Sequence, residues 1–168
     1  MSDIFEKFQM NGQTAVVTGG GGLLGREFCK TLAQAGATVI VADLDETLAG
    51  KVADEISTAG GNAIPCGVNV VDPDSVNAMA EKAVTETGRL DVLVCSAAMD
   101  PKFDASHSGH FNTFEDYPLK QWQDALNVNL TGLFLCAQAA VKPMKVQNSG
   151  VIINICSTYG LVGPDQRI

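Results

Sequence analysis

From residue 14 onward, short continuous apolar runs rich in β-branched residues alternate with longer segments whose apolar positions recur every three to four residues. Runs of four to six residues without polar alternation read as strands buried on both faces, and the segments between them read as helices with one apolar stripe. Ala15-Val16-Val17-Thr18 is the first run. Gly19 to Gly22 follow, and then Leu24, Phe28 and Leu32 mark a helix that Gly36 closes. Val39 to Ala42 forms a second run, ending at Asp43, and a second helix is predicted from Glu46 to Ala59, where Gly60-Gly61 can take the left-handed conformation of a helix terminus. A third strand spans Ala63 to Val68. Asp72-Pro73 reads as an N-cap with proline at the first helical position, opening a helix that reaches Thr87 before Gly88 stops it. Val92 to Cys95 is the fourth strand. Leu119 to Val146 is helical, a short helix running into a longer one near Asn129 with Pro143 close to its end, and Val151 to Cys156 is the fifth strand. Strands alternating with helices predict an α/β fold, a doubly wound parallel sheet covered by helices on both faces.

Residues 99–117 break this rhythm with Pro101, Gly109 and scattered polar residues, and read as a long loop beside a strand end. His107 and His110, with Asp100 and Asp104 nearby, have a spacing that can seed a metal site. Two neutral imidazoles in a polar loop are ordinarily solvated, however, so no metal is assigned and the loop reads better as a wall of a substrate pocket. The 168 residues fit one domain, 1–168, without an internal repeat or linker. The composition is 46% hydrophobic and 18% charged, which excludes a disordered chain. The formal charge of -8 repels a phosphate backbone and an anionic bilayer alike, so neither nucleic acid nor membrane is expected as a partner. Five scattered cysteines, at 29, 66, 95, 136 and 156, suggest neither a disulfide framework nor a zinc site and fit a reducing, cytoplasmic compartment. The opening Met-Ser-Asp-Ile-Phe-Glu-Lys-Phe is not the pattern of a signal peptide, and no apolar run reaches membrane-spanning length.

The glycine run Gly19 to Gly22, with Gly25, joins a strand to a helix, where bare backbone can turn tightly, approach a pyrophosphate and aim helix N–H groups at it. Asp43, eighteen residues past Gly25 at the end of the next strand, is placed to accept from both ribose hydroxyls. A carboxylate there repels a 2′-phosphate, and no basic residue interrupts the glycines, so NAD is expected over NADP. A glycine-rich turn followed by a capping Asp is the alternative reading of the same residues.

In these motifs the chain resembles the short-chain dehydrogenase/reductase family along nearly its whole length. Its T-G-x-x-x-G-x-G loop is matched at Thr18, Gly19 and Gly25, while Leu23 takes the middle glycine's place; Gly22 instead satisfies T-G-x-x-G-x-x-G, the spacing of the family's extended branch. The resemblance implies a Rossmann-like three-layer α/β/α fold with strand order 3-2-1-4-5-6-7, of which five strands are present. It also implies cofactor contacts at Thr18, Gly19, Gly22, Leu24, Gly25 and Asp43, and at Asn69 and Val70, where the family often has an adenine-binding Asp. Further contacts fall at Ser96, Ala97 and Ala98. There the family's N-N-A-G becomes Cys95-Ser96-Ala97-Ala98, so backbone contacts survive and asparagine anchoring does not; Cys95 and Ser96 are read equally well as small core-packing residues. Asn129 matches the helix asparagine that positions a water and the catalytic lysine, although a polar residue satisfying a helix irregularity has the same pattern. Ser157 matches the serine that orients the substrate oxygen during hydride transfer.

The implied function is NAD(P)-dependent oxidation or reduction of a small-molecule alcohol or ketone, sugar-related compounds included, by a homo-oligomer, dimer or tetramer. The family also requires a tyrosine general acid/base with a lysine four residues on. Tyr159 has Gly163 at that position and no Tyr-x-x-x-Lys follows Ser157, so the 168 residues are expected to be the first part of a protein of roughly 250–290 residues and to be inactive alone. The alternative is a non-catalytic dinucleotide-binding or interaction module.

Overall fold

The computed structural model describes residues 4–100 and 114–157. His107, His110 and Asp104 of the long loop, and Tyr159 and Gly163, lie outside the described residues. Five strands, β1 (Thr14–Thr18), β2 (Thr38–Asp43), β3 (Asn62–Gly67), β4 (Val92–Cys95) and β5 (Val151–Asn154), form one parallel sheet in the order β3-β2-β1-β4-β5. Helices α1 (Leu23–Gln34), α2 (Glu46–Thr58), α3 (Pro73–Thr87), α4 (Leu119–Leu126) and α5 (Leu133–Gln147) connect or flank them. The architecture is the α/β fold that the hydrophobic pattern predicts, Rossmann-like in its sheet order.

Neighbouring strand residues point to opposite faces, and the apolar runs therefore feed two cores. Ala15, Val17, Val39, Val41, Val92 and Val94 pack with Cys29 and Ala33 of α1 and with Val52 and Ile56 of α2. Val16, Ile40, Ala42 and Leu93 pack on the other side with Val76 and Met79 of α3 and with Cys136 and Ala140 of α5. Local signals bound the elements. Asp45 caps α2 by accepting from the Thr47 and Leu48 N–H groups at 2.9 and 3.3 Å, Asp72 caps α3 with Pro73 behind it, and Gly88 ends α3 at φ +80°.

Four details differ from the sequence reading. β3 lies one residue earlier, and its Pro65 is accommodated because β3 is an edge of the sheet. β5 stops at Asn154, although the Ile155 N–H still donates to the Cys95 carbonyl at 3.2 Å. Between α4 and α5 the backbone widens into a π-helical segment, Asn127–Gly132, and a short 3-10 helix, Ile4–Phe8, precedes the sheet. Among the described residues no helix is long and apolar enough to cross a membrane.

Candidate functional site

The chain runs outward from β1 through β2 to β3 and then returns to place β4 on the other side of β1. Connections leaving β1 and β4 therefore diverge, opening a crevice at the carboxyl ends of the strands, where open α/β sheets bind ligands. The glycine run sits at that crevice. Gly19 turns the chain out of β1 at φ +68°, and a methyl group on it would lie 2.8 Å from the Ala97 Cα. Gly25 packs against the same turn, with a Cβ there only 2.0 Å from the Gly19 carbonyl oxygen. Bare backbone is thus a steric requirement at both positions. Gly22, whose N–H donates to the Gly19 carbonyl at 3.0 Å, begins α1 without a side-chain cap, and no acidic residue occupies the first turn. The positive end of α1 is left for another anion to meet. Leu23 is 87% exposed and Leu24 is exposed beside it, so neither leucine fills the crevice floor.

Thr18 ties the loop to β4. Its buried hydroxyl accepts from the Ser96 and Ala97 N–H groups at 3.2 and 3.3 Å, so these residues join the site through backbone, and Cys95 before them is buried in the core. Ala98 follows on the exposed side. Asp43 leaves β2 with its carboxylate held at both oxygens: Oδ2 accepts from the Gly21 N–H at 2.9 Å and Oδ1 from the Asp45 N–H at 3.1 Å. Nothing in the sequence distinguishes Gly21 from its neighbours as the donor, since all four glycines look alike there. Beneath the loop, burial pushes the Cys29 thiol up to about 12, which keeps it protonated and confines it to packing.

Asn69 and Val70 form the turn after β3. Val70 is buried, and a methyl on Gly132 would lie 2.9 Å from its Cγ2, so this turn packs directly on the end of the π-helical segment. Asn129, within that segment, uses both ends of its amide on one residue: Oδ1 accepts from the Met99 N–H at 2.7 Å and Nδ2 donates to the Met99 carbonyl at 2.9 Å. Met99 is a partner that sequence reasoning does not supply, because it lies thirty residues away in the chain and offers only backbone. Ser157 stands three residues beyond β5 on the same rim and is exposed. The structure brings Thr18, Gly19, Ser96 and Ala97 into one cluster and Gly21 and Asp43 into another beside it.

Electrostatic pairing elsewhere is structural. Asp91, at the opposite end of the sheet, accepts from the Thr14 N–H at 2.8 Å and from Arg89 at 2.7 Å. A cavity of about 740 Å³ between α1 and α2, lined by Arg26, Lys30, Gln34, Glu55 and Gly60, includes none of the glycine run, Asp43 or Asn69. Among the described residues no three His, Cys, Asp or Glu side chains converge to hold a metal ion.

Comparison with known proteins agrees with this geometry. The family model described as short chain dehydrogenase matches residues 13–168. The chain is 34% identical over 152 residues to a cis-4-hydroxycyclohexanecarboxylate dehydrogenase of Sinomonas cyclohexanicum, an alignment covering 90% of this chain and 57% of that protein. It is 38% identical over 152 residues to a 3-alpha-(or 20-beta)-hydroxysteroid dehydrogenase of Mycobacterium bovis, covering 90% of this chain and 54% of the relative. The chain thus spans a little over half the length of these curated relatives. Among solved structures, a 7 alpha-hydroxysteroid dehydrogenase complexed with NADH and 7-oxo glycochenodeoxycholic acid superposes with a TM-score of 0.84 at 28% identity, covering 98% of this chain and 60% of that one. With its sheet order, its glycine turn and nearly all of its sequence in agreement, this chain belongs to the short-chain dehydrogenase family.

Proposed function

We propose that this chain is the cofactor-binding part of an NAD-dependent oxidoreductase acting on a small-molecule alcohol or ketone. The observation that carries the reading is the Asp43 carboxylate, held by the Gly21 N–H at 2.9 Å at the end of β2, directly beside a glycine turn too tight for any side chain. The residues fit a dinucleotide: the uncapped end of α1 meets a pyrophosphate, and Asp43 keeps acceptor lone pairs for two ribose hydroxyls. When bound, the nicotinamide supplies the group that gives or takes hydride. In this reading the backbone from Thr18 to Gly25 and from Ser96 to Ala98 holds the cofactor, with Leu24 beside it and Asn69 and Val70 at the base. Ser157 donates its hydroxyl hydrogen to the substrate oxygen, stabilising charge that develops there. Asn129 acts through Met99, keeping the segment after β4 in place.

The cofactor preference follows from charge. Asp43 opposes a 2′-phosphate, and the NADH-bound relative supports a nicotinamide dinucleotide in this fold. Sugar-related alcohols remain among the candidate substrates. We further propose that the tyrosine and lysine of acid/base catalysis come from sequence following Ile168, in a cytoplasmic homo-oligomer, so that the 168 residues alone do not turn substrate over.

Fluorescence titration of the full-length protein with NADH and NADPH tests the proposal. NADH should bind at least about tenfold more tightly, roughly 1.4 kcal/mol, and Asp43→Ala should narrow the gap. Equal or tighter binding of NADPH would overturn the NAD assignment. Tight NADH binding without oxidation or reduction of any alcohol or ketone would favour the non-catalytic module instead.

A further inference from the structure

Arg26 is the first basic residue after the glycine run and stands in the first turn of α1, where its N–H donates to the Gly22 carbonyl at 2.9 Å. Gly21, beside Gly22, donates its N–H to the Asp43 carboxylate at 2.9 Å. Four residues of helix rise about 6 Å, which an arginine side chain spans. The Arg26 guanidinium is therefore long enough to reach the loop where Asp43 would meet a ribose. A cation placed there would pair with a 2′-phosphate and offset the repulsion from Asp43. The inference drawn here rests on the cofactor reading given above.

Arg26 is turned elsewhere. Its Nε donates to Glu55 Oε2 at 2.9 Å, its Nη2 donates to both Glu55 oxygens at 2.6 Å, and Lys30 Nζ lies 3.0 Å from the same carboxylate. Arg26 and Lys30 are one turn apart on the side of α1 that lines the groove with α2, and a carboxylate shared by both sits between their levels. Arg26 thus leans toward the far end of α1, whereas the Cα–Cβ bonds of a helix tilt toward its N-terminus. Glu55 accounts for this direction. The hydrogen bonds from Lys30 and Arg26 hold its carboxyl below the usual carboxylate range, so it stays charged at neutral pH, and it offers the fork that a guanidinium favours. Both partners are partly exposed, so the pair can part without opening the core.

We infer that Glu55 is a specificity-determining residue: by holding Arg26 down in the groove between α1 and α2, it keeps a guanidinium away from the ribose 2′ position and adds to the preference for NADH that Asp43 sets. Without Glu55 the side chain is released to follow the N-terminal tilt of its Cα–Cβ bond, back over Gly22 and toward the end of β2. NADH, lacking a 2′-phosphate, gains little from the released cation. NADPH gains a charge-assisted partner, so the effect falls on the ratio of the two affinities.

Fluorescence titration of the full-length protein with NADH and NADPH tests this on the wild type and on variants with unchanged unfolding midpoints. Glu55→Ala should shift the ratio of dissociation constants toward NADPH by about threefold or more. Arg26→Ala alone should leave the ratio as it is, because the guanidinium is already held away. Adding Arg26→Ala to Glu55→Ala should abolish the gain, whereas adding Lys30→Ala, which changes the net charge equally, should keep it. An unchanged ratio in Glu55→Ala overturns the inference, and so does a gain that survives loss of Arg26 or disappears equally with loss of Lys30. A ratio that moves further toward NADH in Arg26→Ala overturns it as well, since Arg26 would then already meet the phosphate. Each of these outcomes leaves the cofactor reading standing. Failure of the wild-type protein to bind either dinucleotide overturns that reading, and this inference with it.

Discussion

Asp91 occupies the last position before β4 and takes three hydrogen bonds there, one from the Thr14 N–H and two from Arg89. Burial pushes its carboxyl up, but the Arg89 hydrogen bonds, the Thr14 N–H and the Arg89 charge outweigh this and hold it below the usual carboxylate range. The unfolded chain then binds the proton more readily than the folded one. Stability from this group is present above the ordinary carboxylate pKa of about 3.9 and is lost as pH falls through the lower folded value. Asp91→Asn should cost about 1–3 kcal/mol at neutral pH, because it weakens the partner of a buried strand N–H, and should flatten the acid limb below about pH 4. Urea unfolding at a series of pH values checks both. From the sequence, Asp91 is a polar residue ahead of an apolar run. The register that sets Thr14 opposite it arises only when β1 and β4, seventy-seven residues apart by that contact, lie side by side.

At the scale of elements, α4 and α5 are continuous in hydrophobic period yet separated by the π-helical segment Asn127–Gly132. The widened turn holds Asn129 where its amide closes on both backbone groups of Met99, and Gly132 lets the same segment rest on Val70. One irregular turn therefore touches two connections of the crevice, the one after β3 and the one after β4. Irregular helix turns of this kind concentrate at functional sites. Asn129→Ala removes two hydrogen bonds and should lower stability by about 1–2 kcal/mol, with faster hydrogen exchange at the Met99 amide. Asn129→Asp keeps the acceptor for the Met99 N–H and loses the donor to its carbonyl, so it should fall between the two. Unfolding midpoints and amide exchange together measure this, and an unchanged Met99 exchange rate in Asn129→Ala would refute the clamp. The period of apolar residues does not mark such a turn, because the helix on either side of it keeps its own 3.6-residue repeat.

At the scale of the molecule, β5 pairs among the described residues with β4 alone, and Val151, Ile153 and Ile155 are 55%, 44% and 40% exposed. Leu130, Phe134 and Val141 add exposed apolar surface on the π-helical segment and α5. Unpaired strand edges next to apolar surface invite pairing with another chain. The 168-residue polypeptide produced alone should therefore self-associate at tens of micromolar, and light scattering that finds a stable monomer would contradict this.

Local patterns by themselves determined the identity and order of the strands and helices, the caps at Asp72 and Gly88, and the glycine turn with an acidic residue one strand later. Each of these depends on residues close in sequence: period, β-branching, proline and glycine act through the nearest turn or two of backbone. Only the tertiary structure decided which glycine holds Asp43, that the Thr18 hydroxyl bridges to Ser96 and Ala97, that Asn129 spends its amide on Met99, and that the Asn69 Oδ1 accepts from the Val71 N–H. All but the last of these join segments brought together by the parallel sheet, and their partners are mostly backbone groups, which every residue carries and no motif can mark. The Asn69 contact is local, but its direction depends on a turn held in place by Ser75 and by Val70 against Gly132.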